Sequence, residues 1–128
     1  MKDTDRGYKK AIRSLRKVAG KRHVVVGVRS EKGSATEEGD SLNLAGIAAA
    51  NEFGTEDGHV PERSFLRSTF DSGKERYAGV IDQALGRIAD GTSDIEKELG
   101  LLGLQVTADV QKTIASGVEP PNAESTIR

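Results

Sequence analysis

The chain has no cysteine and no tryptophan, and only five of its 128 residues are aromatic. Without cysteine, a disulfide framework, a thiolate zinc site and a cysteine nucleophile are excluded. The longest apolar runs fall far short of the ~20 residues that cross a bilayer as a helix, so the sequence predicts no membrane contact. A charged amphipathic segment near the N-terminus also differs from a signal peptide. We therefore expect a soluble intracellular product or a protein that is assembled inside a cell.

Side chains that support catalysis are equally scarce. His23 and His59 are the only imidazoles, and neither has a nucleophile or a second ligand at a recognised spacing. The Gly-Lys pairs lack the other residues of a phosphate-binding loop, and no dinucleotide-binding glycine pattern follows a strand. We predict that the chain is not an enzyme and binds neither a metal nor a cofactor.

The composition predicts a thin hydrophobic core. Hydrophobic residues make up 35% of the chain and charged residues 30%, and a domain this small buries only about two-thirds of its unfolded surface. The net charge is only −1, but the charges are unevenly distributed. Residues 1–30 form a strongly basic pole and residues 31–62 a strongly acidic pole. Two poles of opposite charge favour head-to-tail association of copies. Mutual neutralisation of the poles within one fold is the alternative.

Hydrophobic spacing predicts a helix-dominated α+β fold in a single domain over residues 1–128. Helices are expected over residues 4–19, 42–52 and 74–90 and from Ile95 to a stop at Gly117, with a helical turn or two over residues 62–70. The β-branched run His23–Val28 predicts a mostly buried strand, which would belong to a small antiparallel sheet. Residues 30–41 are expected to form a mobile loop or hairpin, and residues 118–128 an extended segment.

Helix ends are marked by capping residues and glycines. Ser41 and the capping box Ser93-x-x-Glu96 predict two helix starts. Gly54 and Gly91 predict two helix stops.

The first helix carries a strongly basic face. Its charged residues, continued beyond the helix, are Lys9, Lys10, Arg13, Arg16, Lys17, Lys21 and Arg22. Such a face is suited to DNA or to an acidic partner. Only one aromatic residue, Tyr8, accompanies it, and no base-reading motif is present. A small intracellular nucleic-acid-binding protein is therefore the alternative function.

Two neighbouring segments carry the most specific pattern in the chain. Ile47-Ala-Ala-Ala-Asn-Glu-Phe-Gly-Thr55 describes a small-residue helix that ends in an acid, an aromatic and a glycine, and Val60-Pro-Glu-Arg-Ser-Phe-Leu-Arg67 follows a polar loop. The plain interpretation is a helix–loop–helix corner. Phe53 and Phe65 would fill its core, and Glu52 would pair with an arginine.

These segments resemble the tail-completion (head–tail joining, neck or virion morphogenesis) proteins of long-tailed bacteriophages and prophages. That family carries Asn/His-Glu-Phe/Tyr-Gly-Thr followed by Ile-Pro-x-Arg-Pro/Ser-Phe-Leu-Arg. The resemblance covers residues 42–128 and includes Leu102-Gly103 and Pro120-Pro-Asn-Ala-Glu-Ser-Thr-Ile-Arg128. The family pattern continues with Lys-Gly and a Pro-Leu-x-Asp-Thr-Gly segment that is not present here. Either a longer chain or a short family member would account for this.

The resemblance implies a structural virion protein that forms a ring, with six copies favoured and twelve as the alternative. Its partners would be the head connector, adaptor or stopper proteins on one side and tail terminator or tail tube proteins on the other. DNA would pass through the channel without specific recognition. The protein would assemble in the host bacterial cytoplasm and reside in the virion neck. The predicted oligomer interface consists of Glu52, Phe53, Pro61, Arg63, Phe65 and Arg67.

Overall fold

The computed structural model describes residues 6–20, 22–28 and 43–121. This part of the chain contains four helices: α1 (Arg6–Val18), α2 (Leu44–Phe53), α3 (Phe65–Asp90) and α4 (Ile95–Ser116). Helices account for 70% of the described residues. None of these helices combines the length and the apolar character that spanning a membrane requires.

The predicted small antiparallel sheet is wrong, because the described residues form no strand. The run His23–Val28 has no regular secondary structure, and Val25 is 80% exposed. Instead of pairing with a strand, this run contacts α4, where the Val24 side chain lies against Gly103. β-Branched residues favour a strand only when neighbouring strands are there to pack against. The predicted loop over residues 30–41 lies outside the described residues.

The two helical segments predicted around residues 62–70 and 74–90 belong to one continuous helix, α3. Gly73 lies inside this helix and is buried. A Cβ atom at Gly73 would come within 2.4 Å of the Tyr77 ring, which folds back over the glycine one turn earlier. Gly73 is therefore a packing site for an aromatic ring and does not break the helix.

Glycines end the helices where the sequence predicts, but the starts differ. Gly54, Gly91 and Gly117 follow α2, α3 and α4, each with a positive φ. α2 begins after Asn43, whose side chain accepts a hydrogen bond from Gly46 N at 2.8 Å. α4 begins after Asp94, whose carboxylate accepts from Lys97 N at 3.0 Å. The capping residue of α4 is thus Asp94 and not Ser93, and Ser41 lies outside the described residues.

The chain divides into two compact units, and α3 and α4 contribute residues to both. The first unit comprises Met1–Val25 and Gly73–Thr107. Its buried apolar side chains among the described residues are Tyr77, Ile88 and Val106. The Arg87 guanidinium binds both carboxylate oxygens of Glu98, with distances of 2.9 Å and 2.7 Å. Glu98 is only 6% exposed, so a charged pair stands beside the apolar core of this unit.

The second unit comprises Val26–Ser72 and Ala108–Arg128. Its buried residues among those described include one apolar side chain, Val110, and two polar ones, Glu52 and Thr69. The Thr69 hydroxyl lies 2.6 Å from the carbonyl oxygen of Phe65 and 2.7 Å from the Thr113 hydroxyl. This unit therefore relies on hydrogen bonds at positions where a larger domain would bury hydrocarbon. A single domain over residues 1–128 stays a prediction.

Candidate interaction site

Residues 51–67 form one hydrogen-bonded connection between α2 and α3, called the corner below. Arg63 N donates to the carbonyl oxygen of Asn51 at 2.7 Å, which ties the end of the connection to the last turn of α2. Thr55 N donates to Val60 O, and Val60 N donates back to the Thr55 hydroxyl, both at 2.9 Å. These bonds close the loop on itself and fix the direction in which the chain enters α3.

The tip of this loop is a tight turn. Gly58 N donates to Thr55 O at 2.9 Å, and His59 N donates to the Asp57 carboxylate at 3.0 Å. Hydrogen bonds from the Thr55 hydroxyl and the His59 amide hold the pKa of Asp57 below its ordinary value. An aspartate that accepts a bond from two residues further on is typical of a turn, so these polar residues have a structural role.

Gly54 allows the main chain after α2 to lie close to the main chain of Val60 and Glu62. It has a φ of 71°, which lies in the left-handed region that favours glycine. A Cβ atom at this position would lie 3.0 Å from Glu62 N and 3.1 Å from Val60 O. Both neighbours are backbone atoms that are held by the loop, so no other residue fits here without a shift of the main chain.

Glu52 caps the start of α3 from across the loop. Its carboxylate accepts hydrogen bonds from Leu66 N at 2.9 Å, from Arg67 N at 3.0 Å and from the Ser64 hydroxyl at 2.8 Å. The first amides of a helix have no partner within the helix and carry a partial positive charge. A carboxylate placed there supplies both an acceptor and a favourable charge.

The Glu52 carboxylate is ionised in spite of its burial. Only 5% of the residue is exposed. Burial raises its pKa, but the hydrogen bonds from the Arg67 and Leu66 amides and from Ser64 lower it by more. The net result is a pKa below the ordinary value. A salt bridge to an arginine is not needed to keep this charge in place.

The guanidinium groups of Arg63 and Arg67 bind groups other than the Glu52 carboxylate. Arg63 donates to the carbonyl oxygens of Pro120 at 2.6 Å and of Pro121 at 2.9 Å, and so holds the segment that follows α4. Arg67 forms an ion pair with Glu62, and about half of each side chain is exposed. Of the two, Arg67 is the arginine that remains accessible from outside the corner.

Phe53 is the main apolar group that the corner exposes. The sequence predicts it as a core side chain, but it is 71% exposed. Beside it lies an open groove of about 450 Å³. The groove is lined by Ala45, Ala48, Ala49, Glu52, Phe53, Phe65, Leu66 and Arg67. Three of these residues are alanines on α2, so small side chains line part of the groove and leave room for a protruding side chain of another molecule.

The six residues predicted as an interface thus all belong to the corner, in different roles. Glu52 is buried, Phe65 and Arg63 are half-buried, and Pro61, Phe53 and Arg67 are exposed. The sequence reasoning missed the capping role of Glu52, although Ser64 directly before a helix was a usable signal. It also missed the bond of Arg63 to Pro120, which joins residues far apart in the sequence and has no local signature.

The basic residues predicted to contact DNA or an acidic partner lie at different places in the structure and have different surroundings. Lys9, Lys10, Arg13, Arg16 and Lys17 are exposed on α1. The end of the Lys10 side chain lies beside Gly91, at the C-terminal end of α3, where a cation is favourable. Arg22 pairs with Glu96, and Lys21 lies outside the described residues.

No group of three or more potential metal ligands occurs among the described residues. Comparison with protein-family models, with curated proteins and with solved structures gives no match for this chain. The function must therefore be argued from the motif, the corner and the exposed surfaces themselves.

Proposed function

We propose that this chain is a structural virion protein that forms an oligomeric ring in the neck of a long-tailed bacteriophage, between the head connector and the tail. The observation that carries the proposal is the corner. The motif shared with tail-completion proteins forms a single hydrogen-bonded unit here, in which the polar side chains of Glu52 and Arg63 bind their own chain. A hydrogen-bonded unit of this kind is suited to giving the protomer a fixed shape and to forming contacts with other chains.

The exposed part of the corner supports a role in association. Phe53, with 71% of its surface exposed, stands beside a groove that is lined in part by alanines. Aromatic residues and arginine are enriched at the energetic centres of protein interfaces. Because the corner is fixed by hydrogen bonds, little conformational freedom is lost when a neighbour docks on it.

The thin core supports the same proposal. Only four large apolar side chains among the described residues are buried, and no described side chain is completely buried. Exposed apolar side chains occur in both units, for example Phe53 and Leu104. A protomer of this kind gains stability when copies cover its surface.

Native mass spectrometry of the full chain tests the ring. We expect a sharp species at six times the 13.6 kDa protomer mass, with a twelve-copy ring as the alternative. The proposal fails if the chain stays monomeric at about 100 μM, a concentration at which contacts with a dissociation constant of about 1 μM would be almost fully formed.

A matched pair of variants tests whether the corner forms the ring contact. Phe53→Ser and Leu104→Ser each remove an apolar side chain that is 71% exposed, so both monomers should remain folded. Only Phe53→Ser should abolish the ring. If both variants assemble like the unmodified chain, the contact lies elsewhere on the molecule.

Arg67→Ala tests whether the exposed arginine of the corner also takes part in the contact between copies. Its half-exposed ion pair with Glu62 should contribute only about 0–1 kcal/mol to the stability of the monomer. A larger loss in ring formation than in monomer stability would assign Arg67 to the contact between copies. Equal small effects would limit its role to the corner itself.

A further inference from the structure

Four cationic side chains share one exposed face of α1. They are Lys9, Arg13, Arg16 and Lys17, called the basic face below. At 3.6 residues per turn they lie within an arc of roughly 100° and extend over about 12 Å of the helix. Ala11 and Val18 are half-buried on the opposite side. The basic face is therefore turned away from the packed side of its own unit.

The cations of the basic face have no ionic partner within the described chain. Ion pairs among the described residues include Arg22 with Glu96, Arg67 with Glu62 and Arg87 with Glu98. Arg16 and Lys17 lie in the last turn of α1, where a cation stabilises the helix end. That effect does not account for Lys9 and Arg13, which lie further from the end.

We propose that the basic face binds the sugar–phosphate backbone of duplex DNA without reading its sequence. Duplex DNA carries one phosphate per about 1.7 Å of its axis when both strands are counted, so a row of about 12 Å lies near enough phosphates for each of the four cations to neutralise one. Arginine binds a phosphate through two parallel hydrogen bonds, and lysine acts as a point charge. A groove of about 470 Å³ lined by Tyr8, Ile12 and three of these cations adjoins the row.

Two observations favour the DNA backbone over other anionic surfaces. α1 contains no asparagine or glutamine, the side chains that read adenine edges, so any reading of bases by α1 is limited to guanine contacts from arginine or lysine. Ala11 and Val18 are half-buried, and the large apolar side chains that α1 exposes are Tyr8 and Leu15, which together are too few to form a wide apolar face that inserts into a lipid surface. The net charge of −1 means that attraction to DNA must come from this local face.

Fluorescence anisotropy with a labelled duplex of about 20 base pairs tests the proposal on the full chain. Four neutralised phosphates give a slope of log K against log salt of about −3.6, so the affinity should fall on the order of 100-fold between 50 and 200 mM salt. A duplex of scrambled sequence should bind equally well.

Two triple variants with the same change of charge separate the basic face from net charge. Lys9→Gln/Arg13→Gln/Arg16→Gln should reduce the slope by about three quarters, because three of four phosphate contacts are lost. Lys74→Gln/Lys97→Gln/Lys112→Gln changes exposed lysines on α3 and α4 and should leave the slope unchanged. If the first variant loses helix content by circular dichroism, Arg13→Gln alone should still lower the slope by about 0.9.

The proposal is overturned by any of four results: no binding at about 100 μM protein in 50 mM salt, equal losses in both triple variants, a strong preference for one sequence, or tighter binding to phosphatidylserine vesicles than to DNA. The outcome is independent of the ring. A monomer that binds DNA in this way would refute the ring alone, and a ring without salt-dependent binding would refute the DNA contact alone.

Discussion

Glu52 and Glu98 are buried to nearly the same extent, with 5% and 6% of each residue exposed, yet different donors hold them. Glu52, in the second unit, accepts hydrogen bonds from backbone amides and a hydroxyl. Glu98, in the first unit, is held by the guanidinium of Arg87. The charge of Glu52 is thus stabilised mainly by backbone amides. The charge of Glu98 is stabilised mainly by the side chain of Arg87, which is 44% exposed.

The largest effect is expected from Glu52→Ala. The change leaves the amides of Leu66 and Arg67 and the Ser64 hydroxyl without their acceptor, and it removes the cap of α3. We expect the free energy of unfolding to fall by about 2–4 kcal/mol in urea titrations. Glu62→Ala, at a half-exposed ion pair, is the control and should cost about 0–1 kcal/mol. Similar losses in the two variants would show that Glu52 is not a structural cap.

Gly54→Ala and Gly91→Ala compare the rigidity of the two regions. Their φ angles are nearly equal, 71° and 73°, so each variant should lose about 1–3 kcal/mol from backbone strain. The ψ of 179° at Gly54 makes its conformation one that is essentially restricted to glycine. At Gly54 the new Cβ atom also meets backbone atoms at 3.0 and 3.1 Å, whereas at Gly91 it meets only the end of the Lys10 side chain. We expect Gly54→Ala to cost about 1 kcal/mol more, since a flexible side chain can move aside. Thermal unfolding of both variants gives this difference, and a larger loss at Gly91 would contradict it.

Arg87→Gln tests the dependence of Glu98 on its main partner, and its effect should be smaller than that of Glu52→Ala because water can replace the half-exposed Arg87 side chain. Hydrogen bonds from Arg87 above all, and from Ser93, lower the pKa of Glu98 from 4.5 to about 2. The stability that this pair provides is therefore complete above pH 4.5 and is lost as the pH falls toward 2.

Urea unfolding at pH 7, 4.5, 3 and 2.5 measures this change. Arg87→Gln should be less stable than the unmodified chain at pH 7, and the difference should shrink through the acid range. Glu52 titrates in both proteins, so the difference between them isolates Glu98. A difference that stays constant with pH would mean that Arg87 acts by packing and not by charge.

The smallest effect is expected at the start of α4. Asp94→Ala removes the acceptor of the Lys97 amide and should cost about 1 kcal/mol. Asp94→Asn keeps a good capping side chain and should restore most of that loss. Failure of asparagine to restore stability would indicate that the charge of Asp94, and not its hydrogen bond, supports the helix beside Glu98.

The sequence predicts those parts of the fold that depend on local signals. The two helices predicted from apolar spacing, α1 and α4, are confirmed. The helix stops at Gly54, Gly91 and Gly117 are confirmed as well. The strand at His23–Val28 is wrong because the described residues offer it no neighbouring strand, and Val24 lies against α4 instead, a tertiary contact that no local pattern reveals. The break in α3 near Gly73 is not present because the Tyr77 ring occupies the space that the glycine leaves.

At the candidate site, too, the sequence predicted the local elements but not the contacts between them. The motif predicted a corner between two helices, and residues 51–67 form one. Its internal bonding could not be read from the sequence, because Glu52 caps a helix that begins 13 residues later and Phe53 points outward. Residue types indicate which groups need partners, but the loop path decides which partners they meet.

The bond from Arg63 to the carbonyls of Pro120 and Pro121 closes a loop of 57 and 58 residues. The entropic cost of closing a loop grows only with the logarithm of its length, so one side chain suffices to hold so distant a segment. Proline has no amide hydrogen, which leaves its carbonyl as the group through which the backbone can be held. We therefore expect residues 117–121 to open as a local unit when the Arg63 side chain is removed, without unfolding of the helices.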